Sequence, residues 1–203
     1  MQTRKCAALV IAVTAMLAAC AQAHISIGSW KDPAYHKKIT KVFVIGVTRR
    51  AKIRQDFETS VVEKLQQKGV TAVASANLIP LDKDIGKEAV KARVKAAIEG
   101  KGYDAVLVSR LIGVDKTATY VPPTSRMDYT YTGAIMTAYT MEFTPGHMVH
   151  DVVVSIETNL YDTASEKLVW SMTSRSFNPV DAAEVIMPLS DSIIKDLAKN
   201  GLI

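Results

Sequence analysis

The chain has 203 residues, 25 Lys and Arg against 20 Asp and Glu, and a formal net charge of +5. So mild a charge argues against a nucleic-acid binder, and an apolar content of 48% argues against a disordered chain. Two cysteines, Cys6 and Cys20, are too few and too close to the start for a disulfide framework or a zinc site.

The first predicted element is an export leader over residues 1–19. Arg4 and Lys5 precede an apolar stretch that begins near Ala7 and is too short to span a membrane comfortably. The stretch ends in LAAC at residues 17–20, which resembles a bacterial lipoprotein box. That resemblance implies cleavage before Cys20, a diacylglycerol on its sulfur and an acyl group on the new amine. One acyl chain alone binds a bilayer only reversibly, at about 0.8 kcal/mol per buried methylene, so two or three chains on one residue give a lasting anchor. Ala21 follows, and by analogy with the sorting rule of such proteins a non-acidic residue there favours the outer membrane. The alternative is an ordinary secretory cut after Ala23, which would discard Cys20. Removing 19 of the 203 residues leaves 184, and loss of Arg4 and Lys5 takes the charge from +5 to +3. With Cys6 gone and Cys20 acylated, the mature chain has no free thiol.

Residues 20–41 read as a lipidated tether, with Gly28, Pro33 and the lone aromatics Trp30 and Tyr35. Lys37, Lys38 and Lys41 suit an anionic surface or, more simply, a solvated lead-in. A single domain is expected over 42–203. Its first strand is VFVIGV at 42–47, apolar on both faces. Residues 52–68 place Phe57, Val61 and Leu65 four apart, which predicts an amphipathic helix stopped by Gly69. A short strand at 70–74, a loop at 77–82 and a helix at 85–99 follow, the helix striped by Val90, Val94 and Ile98. A third strand spans 104–114. Strand and helix in alternation predict right-handed crossovers and a parallel core.

The second half alternates. Val152, Val154, Ile156 and Leu160 oppose Ser155, Glu157 and Asn159 over residues 151–162, and Leu168, Trp170 and Met172 answer them over 167–177. The five residues between are of hairpin length. A last helix is expected to open at Asn178 and Pro179, to bury Val185 or Ile186, Leu189, Ile193 and Leu197, and to bend at Pro188. The order is β-α-β-α-β-β-β-α: an α/β fold with an α+β tendency, a mixed sheet with helices packed on it and a long hairpin or flap inserted at 117–150.

That insertion carries few charges and concentrates Tyr, Met and Thr. YTYT at 129–132 and YTMEF at 139–143 alternate strictly around Gly133 and Ala134. Tyr129, Tyr131, Tyr139, Met141 and Phe143 are therefore the candidate interaction surface, because Tyr and Met give contact area with adaptability. The other reading folds the flap back on its own sheet as local core. Arg110 interrupts an apolar strand, and Glu157 on the neighbouring antiparallel strand is its candidate partner in a structural ion pair. His147 and His150 are three apart, but strand-like flanks would point them to opposite faces, which disfavours a metal site. Arg49, Arg50, Lys52 and Arg54 follow the first strand, where α/β sheets often take ligands; without a glycine-rich loop a solvated basic turn is the simpler reading.

Several stretches together carry a resemblance: KVFVIGV at 41–47, RQDFE at 54–58, GYDAVLV at 102–108, and ETNLYD at 157–162 with KLVWS at 167–171. The chain resembles the small bacterial envelope lipoproteins grouped as conserved hypothetical lipoproteins. The hairpin at 157–171 is also similar to one in the periplasmic domains of curli-secretion-type assembly lipoproteins. The resemblance implies a protein held on the periplasmic face of the outer membrane, binding proteins or assembling with itself rather than catalysing. It transfers no functional residue, since the matched positions are fold positions. No cofactor, metal or nucleic acid is expected. Small-ligand carriage, in a pocket between flap and sheet, is the alternative. A hydrolase comes third, because nucleophile elbows, zinc-protease helices and phosphate loops are all absent.

Overall fold

The computed structural model describes residues 24–79, 87–125 and 143–203. A six-stranded mixed sheet carries three packed helices, an α+β fold. In chain order its elements are β1 (His24–Lys31), β2 (Lys41–Val47), α1 (Ala51–Gln67), β3 (Thr71–Ala74), a 3-10 turn (Ser75–Asn77) and α2 (Lys87–Ile98). There follow β4 (Ala105–Val121), β5 (Thr124–Ser125), β6 (Phe143–Thr144), β7 (His147–Asp162), β8 (Leu168–Phe177) and α3 (Ala183–Lys199). The sheet order is β1-β8-β7-β4-β2-β3. β2 runs parallel to β3 and β4, and the pairs from β4 out to β1 are antiparallel.

β2 shows why its sequence is apolar throughout. Val42 and Val44 face one core with Phe57, Val61 and Leu65 of α1 and Ile186, Leu189, Ile193 and Leu197 of α3. Phe43 and Ile45 face a second core under α2, with Val94, Ala97, Ile98, Tyr103 and Val106. The strand is covered on both sides, so neither parity can be polar. β7 and β8 have one such cover: Leu160, Trp170 and Met172 join the first core, and the opposite parity carries Glu157, Asn159, Ser171 and Thr173. Alternation there follows from one apolar and one polar side.

Four expectations change. The segment read as a tether is largely part of the fold. β1 pairs antiparallel along β8 from His24↔Ser176 to Lys31↔Trp170, and Tyr35 and Ile39 are buried. β1 has little apolar alternation because it is an edge strand held by backbone bonds. The strand expected to stop at 114 runs to Val121, and its partner begins at His147 rather than 151. The outer parts of the 117–150 insertion are therefore a regular two-stranded arm, Thr117↔Asp151 through Val121↔His147, with a β-bulge at its root between Leu111 and Gly113. Arg54, grouped by sequence with a solvated basic turn, is buried.

Finally, α3 opens at Ala183, not at Asn178. Asn178 has a positive φ of 46°, and its side chain accepts from Val152 N at 2.6 Å and donates to Asp151 at 2.9 Å. Ala182 stands at the N-cap without a side-chain bond; Asp181 before it accepts from Glu184 N at 3.0 Å, and Glu184 accepts from Val180 N at 2.7 Å. Pro188 lies inside α3 without ending it.

Candidate functional site

Parallel strands that run upward and helices that return downward place the C-terminal ends of β2 and the N-termini of α1 and α3 at one end of the sheet. That is the end where ligands meet open α/β sheets. There the structure opens a groove of about 520 Å³. Its wall on the α1 side is Gly46, Val47, Ile53, Arg54 and Phe57; β4 and β7 supply Leu111, Val114, Val152 and Val154; the approach to α3 supplies Pro179, Val180, Val185 and Ile186. The lining is mostly apolar. Val47, Leu111, Val114 and Val180 are all exposed at its rim, where scattered apolar residues are ordinary but a contiguous set marks a contact surface.

Beneath the groove lies a buried ion pair. Glu58 has no exposed surface, and its Oε1 accepts from Gly46 N at 2.8 Å, Arg54 Nε at 2.9 Å and Ser75 Oγ at 2.7 Å. Its Oε2 accepts from Ala76 N at 2.6 Å. Arg54 also donates from Nη1 to Ile79 O at 2.8 Å and from Nη2 to Ser75 Oγ at 2.7 Å. Arg54 donates from all three of its nitrogens and Glu58 accepts on both oxygens, so the pair is structural: it ties β2, α1 and the 3-10 turn together at the end of the parallel strands. Gly46 sits close against α1 here: a Cβ there would stand 3.1 Å from Phe57 Cδ1, so the ring would have to shift by a few tenths of an ångström. Arg54 is thus committed inward and is not available to a phosphate. Arg49, Arg50 and Lys52 are exposed, and Lys52 pairs with Asp56 at 2.8 Å.

Arg110 and Glu157 are cross-strand neighbours on β4 and β7, with Arg110 Nε 2.7 Å from Glu157 Oε2. Both are partly solvated, and Asn159 Nδ2 also donates to Glu157 Oε2 at 3.2 Å. Across the other parity, Ser109 and Thr158 share a buried hydroxyl–hydroxyl bond of 2.7 Å at the groove's inner limit. His147 and His150 lie in one extended strand, β7, and among the described residues no group of three or more His, Cys, Asp or Glu could hold a metal.

Of the expected contact residues, Tyr129, Tyr131, Tyr139 and Met141 lie outside the described residues, as does Cys20. Phe143 pairs with Ser125 across β5 and β6, beyond the arm. The groove residues were not legible as a set, because they come from four separated segments, 46–57, 109–114, 152–156 and 179–189, and none carries a motif.

The opposite end of the sheet is closed by polar ties. Asp104 Oδ2 accepts from Thr40 N and Thr40 Oγ1 at 2.7 Å and from Lys41 N at 2.8 Å. Asp162 accepts from Tyr35 Oη at 3.2 Å and from Ser165 N and Oγ at 2.9 and 2.7 Å. Burial pushes both carboxyls up, but these bonds outweigh it and hold each below its ordinary value. Burial and the charge of Asp162 push the Tyr35 phenol up to about 12.

No known protein family matches the chain, and no curated protein matches it. Among solved structures it is similar to the PelC dodecamer from Paraburkholderia phytofirmans, at 13% identity and a TM-score of 0.45, over 87% of this chain and 96% of that one. It is also similar to lipoprotein GNA1162 from Neisseria meningitidis, at 13% identity and a TM-score of 0.39, over 79% and 99%. A third likeness is to a PDZ domain protein from Parabacteroides distasonis, at 9% identity and a TM-score of 0.41, over 92% of this chain and 39% of that one. These are coarse likenesses, and none assigns a residue or an activity here.

Proposed function

We propose that the chain is a lipid-anchored envelope protein, held through Cys20 on the periplasmic face of the outer membrane, whose open end binds protein. The partner is another copy or a component of envelope assembly or transport. One observation carries the reading: an apolar groove at the root of a two-stranded arm, with Leu111 and Val114 exposed beside it. An apolar surface left open at this scale is a liability unless something covers it. The groove's lining does not converge polar groups on a reacting atom, which favours contact over chemistry. The LAAC run supports the anchor.

A second reading is a small apolar ligand in the same groove. The volume of about 520 Å³ favours it, because it falls within the range of small-molecule sites. Native mass spectrometry of the detergent-extracted protein separates the two, run on wild type and Leu111→Lys. The proposal expects wild type to carry protein, as an oligomer or a complex, and the variant to be monomeric with an unchanged melting curve. A monomer holding a low-mass adduct establishes the second reading, and a bare wild-type monomer overturns both.

A further inference from the structure

The register of the sheet fixes where the N-terminus leaves the fold. His24 pairs with Ser176, Ser176 with Val154, and Val154 with Val114. β1 therefore begins level with the groove, at the end of the sheet from which the arm extends. Between Cys20 and His24 stand only Ala21, Gln22 and Ala23. Four Cα steps reach at most about 14 Å.

The arm is longer than that. Beyond the Val153↔Phe177 pair, β7 continues through residues 147–152, each paired with β4. Six antiparallel residues span about 20 Å. We infer that the arm at this end of the sheet lies in the interfacial layer of the bilayer, while the groove rim at Leu111 and Val114 is left to the protein partner proposed above. The inference rests on acylation of Cys20. With acyl chains in the hydrocarbon and so short a link, the arm cannot stand clear of the surface on the membrane side.

The side chains at this end suit that medium. Val180 is 87% exposed, Tyr120 60%, Met148 50% and Phe177 42%. A tyrosine with an apolar ring and a polar tip belongs at such a boundary. The charges there are of both signs, Arg49, Arg50 and Lys116 against Asp115, Asp151 and Asp181. Attraction to anionic headgroups is therefore minor, and contact should survive salt. At the far end Asp104 and the buried Asp162 are instead held by bonds within the fold, from Lys41 N and Ser165 N. Among the described residues no helix is long and apolar enough to cross a membrane, so the surface contact is peripheral.

Because the acylated chain has no other thiol, single cysteines can report position. Val180→Cys, Met148→Cys and Lys68→Cys, the last at the C-terminal end of α1, are labelled with an environment-sensitive fluorophore. The purified protein is placed in vesicles of phosphatidylethanolamine and phosphatidylglycerol that contain brominated acyl chains. The expected result is a blue shift and quenching at 148 and 180, unchanged in high salt, and neither effect at 68. Intact mass of the same samples reads the anchor. An unacylated chain overturns the anchor and the orientation together. An acylated chain whose labels at 148 and 180 stay as aqueous as at 68 overturns the orientation alone.

Discussion

Where β2 begins, Asp104 gathers three bonds from Thr40 and Lys41, Asp162 gathers three from Tyr35 and Ser165, and Ile39 N donates to Leu202 O at 2.8 Å, with Leu202 fully buried. Where β2 ends, the sheet instead spreads into a groove whose rim is exposed valine and leucine, and two strands run on with no helix of the described residues covering them. The same sheet is closed by polar ties at one end and left apolar at the other. A globule that needed only to be stable would have no use for the second end. The difference teaches that stability is concentrated in the two cores and the lower ties, and that the upper end is free to meet something else.

One buried group at the upper end belongs to stability, and breaking it should give the largest effect. Glu58→Ala leaves the Arg54 guanidinium buried without its anion and strips acceptors from Gly46 N and Ala76 N. Removing one partner of a buried pair costs about 3–5 kcal/mol, and Glu58→Gln should cost less because it keeps acceptors. Urea midpoints measure both; a loss under 1 kcal/mol for alanine, on the order of a surface change, would mean that the groove floor does not hold the upper end.

The next contrast sets core against arm. Leu160→Ala, in the first core, should lose about 2–5 kcal/mol, whereas Val114→Ala should stay within about 0.5 kcal/mol. Equal losses would show that the arm is packed and not open. Melting of the two variants side by side decides it.

How much of this was legible in the sequence follows from how local each signal is. The apolar run at 42–47, the four-residue spacing of Phe57, Val61 and Leu65, and the alternation around Leu160 and Trp170 are periodicities, set by neighbours along the chain. They placed β2, α1, β7 and β8 within a few residues. β1 escaped because its partner β8 lies more than a hundred residues away and its pairing is by backbone. Arg54 read as part of a solvated basic turn; only the Ser75–Asn77 turn folding over it and Glu58 makes the two core. Asn178-Pro179 looked like a helix start, yet the Asn side chain is taken by the β7 backbone, which no local pattern announces. The groove was invisible for a similar reason, since distant segments meet there without a motif.

The lower end predicts a pH signature. The Tyr35 phenol, raised from 10.0 to about 12, is protonated more firmly in the folded chain than in the unfolded one. Its contribution is complete below pH 10 and is lost as pH climbs towards 12. Asp104 and Asp162, held below 3.8, act in the opposite sense: their contribution is present above the ordinary carboxylate range and is lost as pH falls through it. Tyr35→Phe should cost about 1 kcal/mol at neutral pH and flatten the alkaline fall, while the acid fall shrinks only by the share that the Tyr35 bond gives Asp162 and keeps the share of Asp104. Urea midpoints across pH read both limbs, and an alkaline fall that persists in Tyr35→Phe would place its origin elsewhere.

The smallest effect belongs to the pair just below the bulge, where closed sheet becomes arm. Arg110 and Glu157 meet at 2.7 Å, but Arg110 is more exposed than Glu157, and neither is shut away from water. A partly solvated pair recovers little of its Coulomb energy, so a double-mutant cycle with Arg110→Met and Glu157→Gln should give a coupling of about 0.2–1 kcal/mol that shrinks with salt. Its geometry offers more than its energy: the two residues face each other one pair below Leu111↔Ile156, the last register before the shift at Leu111/Gly113, so the pair helps align β4 and β7 before the arm continues. Losing it should therefore raise amide exchange in residues 114–121 and 147–153 while leaving β2 and α1 protected. Exchange that rises uniformly across the sheet would show that arm and body open as one unit, and the division between the two ends would not hold.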